Sequence, residues 1–528
     1  MTFINMLNNH LKNQKQYTEN GAVGYATSGR ELLDMNYAVG SMRQWTDEQI
    51  LKQYVKAYYE KPLLSVKWLF YLRDIRGVGM GERRIFRVCL KWLISNQFDY
   101  TYRIIDLVPE YGRYDDLMCL LDTKAKGIVI SIIREQLMKD IDGMQNGKPI
   151  SLLAKWLPSC NTSSANTRQK AKIVYEALDI REKDYRKILS RLRAYLNVVE
   201  VKMADNAWSD IDYSKLPSRA NLIYGNAFLR NDEDRRRVFL GKLPRGEVKI
   251  NADTLFPSDI VAKYYKENNS FYRYGKDELK ERDDTLEGLW NSLPDYVNGD
   301  GSTLVVRDGS GSMTVKIGNT NISALNVATA LSIYFAEHCK GEYHNKFITF
   351  SSTPQIVDMS NARCLRDKLE ICDAYQDITN TNIQAVFELI LQTAVYNRLS
   401  QSKIPKNVLI VSDMEFDSAI GTYIWDDDRT SGKKCTLKTL FELISDEYQK
   451  YGYKMPRLIF WNVCSRTQTI PLKENDAGVT LVSGFNPAVY NMVLSDELDP
   501  YKCLIKQINS KRYDSVERSV VGEKVRYY

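Results

Sequence analysis

The chain has 528 residues, 44% hydrophobic and 26% charged with a mild net charge of +7, so it can form two to four domains with sizeable cores and is not a disordered chain. No run of about 18 apolar residues occurs and the first residues lack the layout of a secretory signal, so we expect a cytoplasmic protein with no membrane partner. Nine scattered cysteines without a CxxC pair, and only three histidines, argue against a disulfide framework, a zinc site and histidine-based catalysis.

The first part of the chain, from about residue 45 to 245, has the pattern of a helical protein. Apolar residues recur with a period near 3.6 in Asp47–Tyr59, and further helices are predicted at Leu63–Leu72, Arg84–Ile94, Asp115–Leu121, Gly127–Met138, Ala171–Ala177 and Asp184–Val198. The segment RDIRGVGMGER (Arg73–Arg83) carries three glycines in five positions and predicts a chain reversal. Helices joined by short turns favour an all-α helical-repeat (HEAT-like) solenoid or ring, although no clean repeat period is present.

One stretch of this helical part is strongly basic. Residues 151–250 contain 20 Lys and Arg against 12 Asp and Glu, a local charge of +8, whereas the rest of the chain nets −1. A basic block in an otherwise neutral protein indicates a surface that faces a polyanion. A solvated helical face without a partner explains the charge equally well.

Residues 251–300 mark the predicted domain boundary. They are rich in Tyr, Asn, Asp and Glu, with Pro257 and Pro294 as breaks in the pattern. We therefore predict a helical module over residues 1–290 and a second domain over residues 300–528.

The second domain alternates between strands and helices. Strands are predicted at Thr303–Arg307, Lys346–Phe350, Gln355–Asp358, Val408–Ser412, Arg457–Val463 and Gly478–Ser483, with helices at Asn321–Cys339, Arg363–Cys372, Asn382–Leu399 and Thr436–Tyr451. Nearly continuous apolar strands that alternate with helices are typical of a doubly wound (Rossmann-like) α/β sheet covered on both faces. Ligands of such sheets bind beyond the carboxyl ends of the strands.

A candidate metal site follows the first strand of this domain. The loop DGSGSM places Asp308, Ser310 and Ser312 at alternate positions, and two further oxygen donors, Thr381 and Asp413, lie at the ends of later elements. Mg²⁺ takes a near-octahedral shell of oxygens and keeps several waters, so short Asp, Ser and Thr side chains suit it. A Gly/Ser-rich turn without a metal is the alternative interpretation of this loop.

These residues resemble the metal-ion-dependent adhesion site of von Willebrand factor A domains, with its DxSxS, Thr and Asp elements in the same order. The resemblance implies a bound Mg²⁺, with Mn²⁺ or Ca²⁺ as alternatives. It implies that Ser310, Ser312 and Thr381 contact the metal, and that Asp308 and Asp413 hold its waters or bind it themselves. One coordination position would stay open for a carboxylate or phosphate of a partner.

Longer motifs extend the resemblance to most of the chain. The segments LLSVKWLFYLRDIRGVGMGERRIF (Leu63–Phe86), VPEYGRYDDLM (Val108–Met118) and LLAKWLPS (Leu152–Ser159), ahead of an A-type domain, are similar to Ro/TROVE-type proteins and to an uncharacterised TROVE-like group. Members of the Ro type carry helical repeats bent into a ring, and they bind structured small noncoding RNAs and the 3′ ends of misfolded RNAs. The resemblance implies a non-catalytic RNA-binding protein of RNA quality control or ribonucleoprotein assembly. The implied partners are Y-RNA-like or misfolded RNA and a protein such as an exoribonuclease, with no DNA.

If the chain binds RNA in this way, its basic residues are the candidate phosphate contacts. They are Lys155, Arg168, Lys170, Lys172, Arg186, Lys187, Arg191 and Arg193 in the basic block, and Arg73, Arg76, Arg83 and Arg84 as a second group. Unpaired bases could stack on Trp156, Tyr175, Tyr185 and Tyr195. The alternatives are that these aromatic residues form the core and that the arginines of RDIRG and GERR form buried ion pairs.

Two other functions are compatible with the same residues. In the first, the chain is a protein-interaction scaffold whose Mg²⁺ site captures a partner carboxylate, and RNA plays no part. In the second and weaker one, it is an enzyme acting on phosphate esters at the metal, but the site offers no evident general base or second metal. Nucleotide hydrolysis is disfavoured because the chain has no P-loop.

Overall fold

The computed structural model describes residues 15–17, 23–266, 278–297, 302–318, 320–351, 353–375, 382–415, 437–467, 479–492 and 499–522. Two compact units are present. The helical unit comprises Asp47–Lys52, Lys61–Thr254 and Ile508–Tyr528, and the sheet unit comprises Met1–Thr46, Gln53–Glu60 and Leu255–Gln507. Each unit is therefore built from chain segments that are far apart in sequence.

The secondary structure of the described residues is mainly helical, with one larger sheet. The α-helices are α1 Glu31–Tyr37, α2 Val39–Met42, α3 Asp47–Glu60, α4 Pro62–Arg73, α5 Arg84–Asn96, α6 Phe98–Thr101, α7 Val108–Tyr111, α8 Lys126–Gln145, α9 Leu153–Trp156, α10 Ala165–Ala177, α11 Glu182–Tyr195, α12 Val199–Ala204, α13 Ser218–Asn231, α14 Glu233–Lys242, α15 Pro257–Tyr264, α16 Asp284–Asn291, α17 Ala324–His338, α18 Leu365–Ala374, α19 Ile383–Tyr396, α20 Leu437–Lys450, α21 Pro500–Ile508 and α22 Asp514–Val521. The strands are β1 Lys15–Tyr17, β2 Val23–Tyr25, β3 Thr303–Asp308, β4 Lys346–Phe350, β5 Ile356–Asp358, β6 Asn407–Ser412, β7 Arg457–Asn462 and β8 Val479–Ser483.

In the helical unit, α4 is the most deeply buried helix. Every residue from Ser65 to Arg73 is buried, including Lys67 and Arg73, because the helix is covered on all sides. The glycine-rich segment after it leaves the helical conformation and α5 begins at Arg84, as the sequence predicts. The predicted helix Asp115–Leu121 is instead a 3₁₀ segment, Tyr114–Leu120.

The last described segment of the chain also belongs to the helical unit. Lys67, on α4, forms an ion pair of 2.6 Å with Glu517, on α22. The ring of Tyr513 stacks on that of Tyr111 at 5.7 Å between centroids. The guanidinium of Arg512 contacts the buried carboxylate of Asp74 at 3.0 Å. These contacts bring residues about 400 positions apart into one core.

The sheet unit contains a six-stranded sheet of order β5-β4-β3-β6-β7-β8. All neighbouring strands are parallel except β4 and β5, which are antiparallel. The strand order reverses between β3 and β6, and such a reversal leaves a crevice beyond the carboxyl ends of the two strands where doubly wound sheets bind ligands. Asp308 ends β3 and Asp413 directly follows β6, so the two carboxylates flank that crevice.

Residues before α3 pack with the sheet and not with the other helices. Tyr37 belongs to the same buried cluster as the strand residues Val306 and Ile410, and its carbonyl accepts a hydrogen bond of 3.0 Å from the Asn462 side chain. At Gly40 a Cβ would lie 2.4 Å from the Val463 carbonyl oxygen, so only glycine permits this approach. The predicted helical module 1–290 and domain 300–528 thus do not coincide with the two compact units.

The coarse part of the predicted fold class is confirmed: a helix-rich chain carries a mostly parallel α/β sheet in its C-terminal part. None of the helices in the described ranges combines the length and the apolarity that a membrane span requires. Eight of the cysteines lie within those ranges, and all eight are free thiols.

Candidate metal site and basic surfaces

The end of β3 positions the first candidate ligand. Asp308 is 1% exposed, and its Oδ1 accepts a hydrogen bond of 2.9 Å from the Ser310 backbone nitrogen. Its Oδ2 accepts one of 2.5 Å from the hydroxyl of Ser412, the last residue of β6. The carboxylate is therefore held from both strands that border the crevice.

The two serines of the loop lie side by side. The Oγ atoms of Ser310 and Ser312 are 2.9 Å apart. The loop forms a short 3₁₀ turn at Gly311–Thr314, which keeps both hydroxyls close to the end of β3. Asp308, Ser310 and Ser312, which alternate along the loop, thus lie close together.

Asp413 is the second carboxylate of the site and is 2% exposed. Burial, followed by the negative charge of Asp308, raises the pKa of Asp413 to about 7. A hydrogen bond from Ser312 opposes this shift and links Asp413 to the serine loop. Burial also raises the pKa of Asp308. Burial therefore favours the protonated form of both carboxylates in the absence of a cation.

The chain turns sharply after Asp413 and forms a second acidic network. Met414 has a φ of +62°, in the left-handed region, and Glu415 is buried behind it. The Glu415 carboxylate accepts hydrogen bonds from the backbone nitrogens of Arg466, at 2.7 Å, and Thr467, at 2.9 Å. The Arg466 guanidinium lies 3.4 Å from Asp413, with its side chain 29% exposed.

A buried arginine fixes the segment that leads toward the remaining candidate ligand. Arg307, beside Asp308, is 1% exposed and donates to the carbonyl oxygens of Cys372, at 3.0 Å, and Tyr375, at 2.9 Å. A cation at the C-terminal end of α18 is favourable because helix carbonyls there lack partners. Thr381 follows this segment but lies outside the described residues.

The donor set suits a hard divalent cation. Within the described ranges no group of three or more His, Cys, Asp or Glu side chains could hold a metal, so the site depends on hydroxyls as well as carboxylates. Two buried carboxylates and two neighbouring hydroxyls supply oxygens only, the ligand type that Mg²⁺ prefers. Asp308, Ser310, Ser312 and Asp413 are the described residues that would hold the ion, with Thr381 as the further predicted ligand.

The helical unit carries the predicted basic surface mainly on α11. Tyr185, Leu189 and Leu192 are buried on one side of this helix, and its opposite side exposes Arg186, Lys187 and Arg191. Among the described residues the structure records no ion pair for those three side chains. They remain available to phosphate groups.

Two predicted RNA contacts are instead structural. Arg73 is buried and its Nε donates to the Asp116 carboxylate at 2.8 Å, so it cannot reach a phosphate. Arg193 directs its three nitrogens to the Ala154 carbonyl, the Leu157 carbonyl and the Ser159 hydroxyl, all at 2.8–2.9 Å. Both side chains hold neighbouring segments together. For Arg73 this agrees with the alternative that the arginines of RDIRG form buried ion pairs.

The other predicted basic residues differ in their contacts. Arg84 pairs with Asp47 at 2.6 Å and Lys172 with Glu176 at 3.7 Å, both on the surface. Arg76 donates to backbone carbonyls of α7, and Arg168 donates to those of Thr162 and Ser163. Lys155 and Lys170 are half-buried, whereas Arg83 is exposed. A sequence pattern could not assign Arg76 and Arg84, because their partners lie 33 to 37 positions away along the chain.

The aromatic residues are largely part of the core. Tyr185 is buried and donates to the Pro158 carbonyl at 2.9 Å. Tyr195 is 40% exposed, but its hydroxyl donates to the Lys148 carbonyl at 2.9 Å. Half-buried Trp156 has the guanidinium of Arg113 over its ring, 4.4 Å from the centroid. Tyr175 and Trp156 are half-buried. Among the described residues no hydrogen bond is recorded for the Tyr175 hydroxyl, and its ring lies 6.1 Å from that of Tyr185.

Sequence reasoning missed Ser412, Arg307 and Arg113. Ser412 and Arg307 are polar residues inside otherwise apolar strands, beside the two candidate carboxylates, and that position was an available signal. Arg113 lies in the motif EYGRYDD but outside the basic block, so a count of charge by segment could not single it out.

Two family models match different parts of the chain. Residues 302–521 match the family model described as Domain of unknown function (DUF7788). Residues 18–97 and 128–303 match that described as Domain of unknown function (DUF2828). An uncharacterized protein of Acanthamoeba polyphaga mimivirus is 28% identical over 534 residues, which cover 93% of this chain and 86% of the relative. Neither matching description mentions Ro/TROVE or von Willebrand A domains.

Proposed function

We propose that this chain is a non-catalytic RNA-binding protein of Ro type, and that it contacts the phosphate backbone through the exposed side of α11. The observation that carries this proposal is the set of Arg186, Lys187 and Arg191, which project from a helix anchored by buried residues and form no ion pair with any residue that the structure describes. A basic side chain without a carboxylate partner can contact a phosphate without first breaking an ion pair. Each such contact favours binding because it releases counterions from the nucleic acid.

The domain assignment belongs to the same proposal. We take the helical unit as a HEAT-like, TROVE-type module and the sheet unit as a von Willebrand A-type domain. The strand order with its antiparallel edge strand, and the position of Asp308 and Asp413 at the reversal of that order, support the second assignment. The length of the motifs in the helical unit supports the first.

RNA retention at low salt tests the proposal. We expect the protein purified at low ionic strength to carry RNase-sensitive absorbance at 260 nm that falls as salt rises, and sequencing of that RNA names its class. The triple substitution Arg186→Gln, Lys187→Gln and Arg191→Gln should lower the slope of log affinity against log salt by about 2 for a single-stranded ligand. Its control replaces Lys340, Lys406 and Lys454, exposed lysines of the sheet unit, by Gln. Clean protein that shifts no added RNA, or equal slopes for both triples, would rule the proposal out.

A second candidate function is metal-dependent capture of a partner carboxylate. It is favoured by Arg466, which places a positive group 3.4 Å from Asp413 at the rim of the candidate Mg²⁺ site. An incoming carboxylate would complete the shell of the ion and meet this guanidinium.

The variant Asp308→Asn separates the two functions. It should abolish Mg²⁺-dependent partner capture under the scaffold function and leave RNA affinity within about twofold under the RNA-binding function. Mn²⁺ affinity, measured by electron paramagnetic resonance, reports directly on the site. Unchanged Mn²⁺ affinity in Asp308→Asn and in Ser310→Ala would exclude a metal at this position.

A further inference from the structure

Arg466 brings a positive charge to one of the two carboxylates of the candidate Mg²⁺ site. Its Nη2 lies 3.4 Å from Oδ2 of the buried Asp413 side chain. Because Asp413 is also a candidate ligand, the guanidinium and Mg²⁺ would be attracted to the same carboxylate. Two cations beside one buried group repel each other more than they would in bulk water, since the buried side is poorly screened. Arg466 and the metal therefore compete for Asp413.

The backbone that carries Arg466 is firmly held. The Glu415 carboxylate accepts hydrogen bonds from the Arg466 nitrogen at 2.7 Å and from the Thr467 nitrogen at 2.9 Å. The Ser465 hydroxyl donates to the same carboxylate at 3.1 Å, and the Ser465 nitrogen donates to the side chain of Asn462, the last residue of β7, at 2.9 Å. A movement of this turn away from Asp413 would break several of these bonds at once.

The segment after α2 holds the same turn from the other side. The Gln44 side-chain amide donates to Cys464 Sγ at 3.0 Å and to the Lys316 carbonyl oxygen at 3.3 Å. At Gly318 a Cβ would lie 2.8 Å from the Arg43 carbonyl oxygen, so the chain after the serine loop also passes directly against this segment. All of these residues belong to the sheet unit. They connect the turn after β7 with the chain that follows the serine loop.

The Arg466 side chain, unlike its backbone, can move aside. It is 29% exposed, and its 3.4 Å distance to Asp413 is longer than the roughly 2.7–2.9 Å of a strong charged hydrogen bond. A long and partly solvated ion pair of this kind contributes little stability. An anion that approaches the site can therefore draw the guanidinium away from Asp413, and a carboxylate offers it the geometry for two parallel hydrogen bonds.

We propose that Arg466 weakens Mg²⁺ binding at Asp413 until a partner carboxylate binds, so that the metal and the partner bind cooperatively. This inference rests on the metal-dependent capture function proposed above and adds its regulation. A carboxylate bound at the site accepts from the guanidinium and moves its charge off Asp413, which removes the repulsion. By linkage, the carboxylate raises the affinity for the metal by the same factor by which the metal raises the affinity for the carboxylate.

Titration of the full chain with Mn²⁺, followed by electron paramagnetic resonance, tests the competition. We expect Arg466→Gln to bind Mn²⁺ at least about fivefold more tightly than the wild-type chain, because a cation beside the site is lost. Arg466→Lys keeps the charge and should bind Mn²⁺ more weakly than Arg466→Gln. Equal or weaker binding of Mn²⁺ by Arg466→Gln, compared with the wild-type chain, would overturn the proposal.

The matched control is Arg363→Gln, which removes an equal charge from an exposed position of the sheet unit. Arg363 follows β5, whose last residue, Asp358, pairs with Lys346, the first residue of β4. This end of the sheet is opposite to the crevice that holds the candidate site. The Mn²⁺ affinity of Arg363→Gln should stay within about twofold of the wild-type value, because salt screens a distant exposed charge. A gain equal to that of Arg466→Gln would contradict a local effect of Arg466.

Acetate tests the cooperative part of the proposal. At constant ionic strength, acetate in place of chloride should raise the Mn²⁺ affinity of the wild-type chain at least about threefold and leave that of Arg466→Gln nearly unchanged. A titration without protein corrects for the Mn²⁺ that acetate itself binds. An equal response of the two chains would show that Arg466 does not couple the anion to the metal.

The same titrations separate this inference from the capture function on which it rests. A wild-type chain that binds Mn²⁺ and a partner carboxylate, with the same Mn²⁺ affinity in Arg466→Gln, would overturn the role of Arg466 and leave the capture function in place. An absence of Mn²⁺ binding in both chains would overturn both. Since the backbone of Arg466, not its side chain, bonds to Glu415, the substitution should preserve the turn, and circular dichroism of Arg466→Gln checks the fold.

Discussion

Asp116 connects two helices and a loop of the helical unit. It is fully buried and accepts hydrogen bonds from Arg73 and Arg87 on two helices, α4 and α5, as well as from the Arg113 backbone. Breaking a buried ion pair on one side leaves the other charge without compensation, which costs more than the pair contributes when intact.

We expect Asp116→Asn to lower the free energy of unfolding by roughly 3 to 5 kcal/mol, because Arg73 would stay buried without a carboxylate. Urea denaturation followed by circular dichroism measures this loss. Asp122→Asn is the control, since Asp122 pairs with Lys91 on the surface with its side chain 63% exposed, and it should change stability by less than about 1 kcal/mol. Equal effects of the two substitutions would contradict the role given to Asp116.

Because of Asp308 and Asp413, the stability of the sheet unit should depend on pH, and bound Mg²⁺ should reduce this dependence. The pKa of Asp413 in the folded chain, about 7, lies above its ordinary value of 3.8, so the folded state binds this proton more tightly than the unfolded state. Stability from this group is therefore complete at pH below about 4 and is lost as the pH rises through about 7.

We expect the melting temperature without divalent cations to fall between pH 5 and pH 8, by about 2–4 °C for each kcal/mol lost. Millimolar Mg²⁺ should restore it at pH 8, because a ligand that binds only the folded state stabilises that state. Differential scanning calorimetry of Asp413→Asn supplies the comparison, as this variant should show a smaller fall and no response to Mg²⁺. An unchanged response to Mg²⁺ in that variant would remove the metal from this site.

At the scale of elements, α18 depends on a carboxylate from another helix. Glu287, on α16, is 5% exposed and accepts from the backbone nitrogens of Leu365 at 2.8 Å and Arg366 at 3.1 Å. The Tyr264 hydroxyl, on α15, donates to the same carboxylate at 2.6 Å. The first turn of a helix has free N–H groups, and a negative charge there also complements the helix dipole.

Glu287→Gln should cost roughly 1.5–3 kcal/mol, because the amide group would face a backbone N–H with a donor and the charge would be lost. Thermal unfolding measures the change, and hydrogen exchange at residues 365–369 should rise at the same time. Glu281→Gln, at an exposed position before α16, is the matched control. Unchanged exchange at the start of α18 would show that Glu287 does not cap this helix.

Regular elements were predictable from sequence where their pattern is local. The strands β3, β6 and β7 and the helices α4 and α5 lie within two residues of their predicted bounds, because apolar periodicity alone determines them. The serine loop and Asp413 were predictable for the same reason, since they follow strands. Arg113 and Ser412 were not, because their importance arises from Trp156, Asp116 and Asp308, which only the folded chain brings close.

At the scale of the whole molecule, each unit uses segments from distant parts of the chain. The helical unit includes residues after Ile508, and Tyr513 and Glu517 there contact Tyr111 and Lys67. A pattern read along the sequence assigns such segments to the nearest domain. The units could therefore be recognised by type but not by their complete boundaries.

A chain that ends after Gln507 should keep its sheet and lose protection in the helical unit. Removal of Tyr513 exposes the rings of Tyr71 and Tyr111, and removal of α22 leaves Lys67 buried without Glu517. Hydrogen exchange with mass spectrometry should show faster exchange over residues 62–73, with β3 and β6 as the internal reference. Equal protection of residues 62–73 in both chains would mean that the last segment contributes little to this core.

The return of α22 to the helical unit also sets an order of events during synthesis. Roughly 250 residues separate Thr254 from Ile508, so on the order of 10–50 s pass on the ribosome before the helical unit has all of its parts. Throughout that interval the buried cation of Lys67 and the tyrosines of its core lack their final partners, and nascent helical segments are exposed to chaperones and proteases. A slow-codon stretch near residue 508 would lengthen this vulnerable period without changing a single contact of the finished protein.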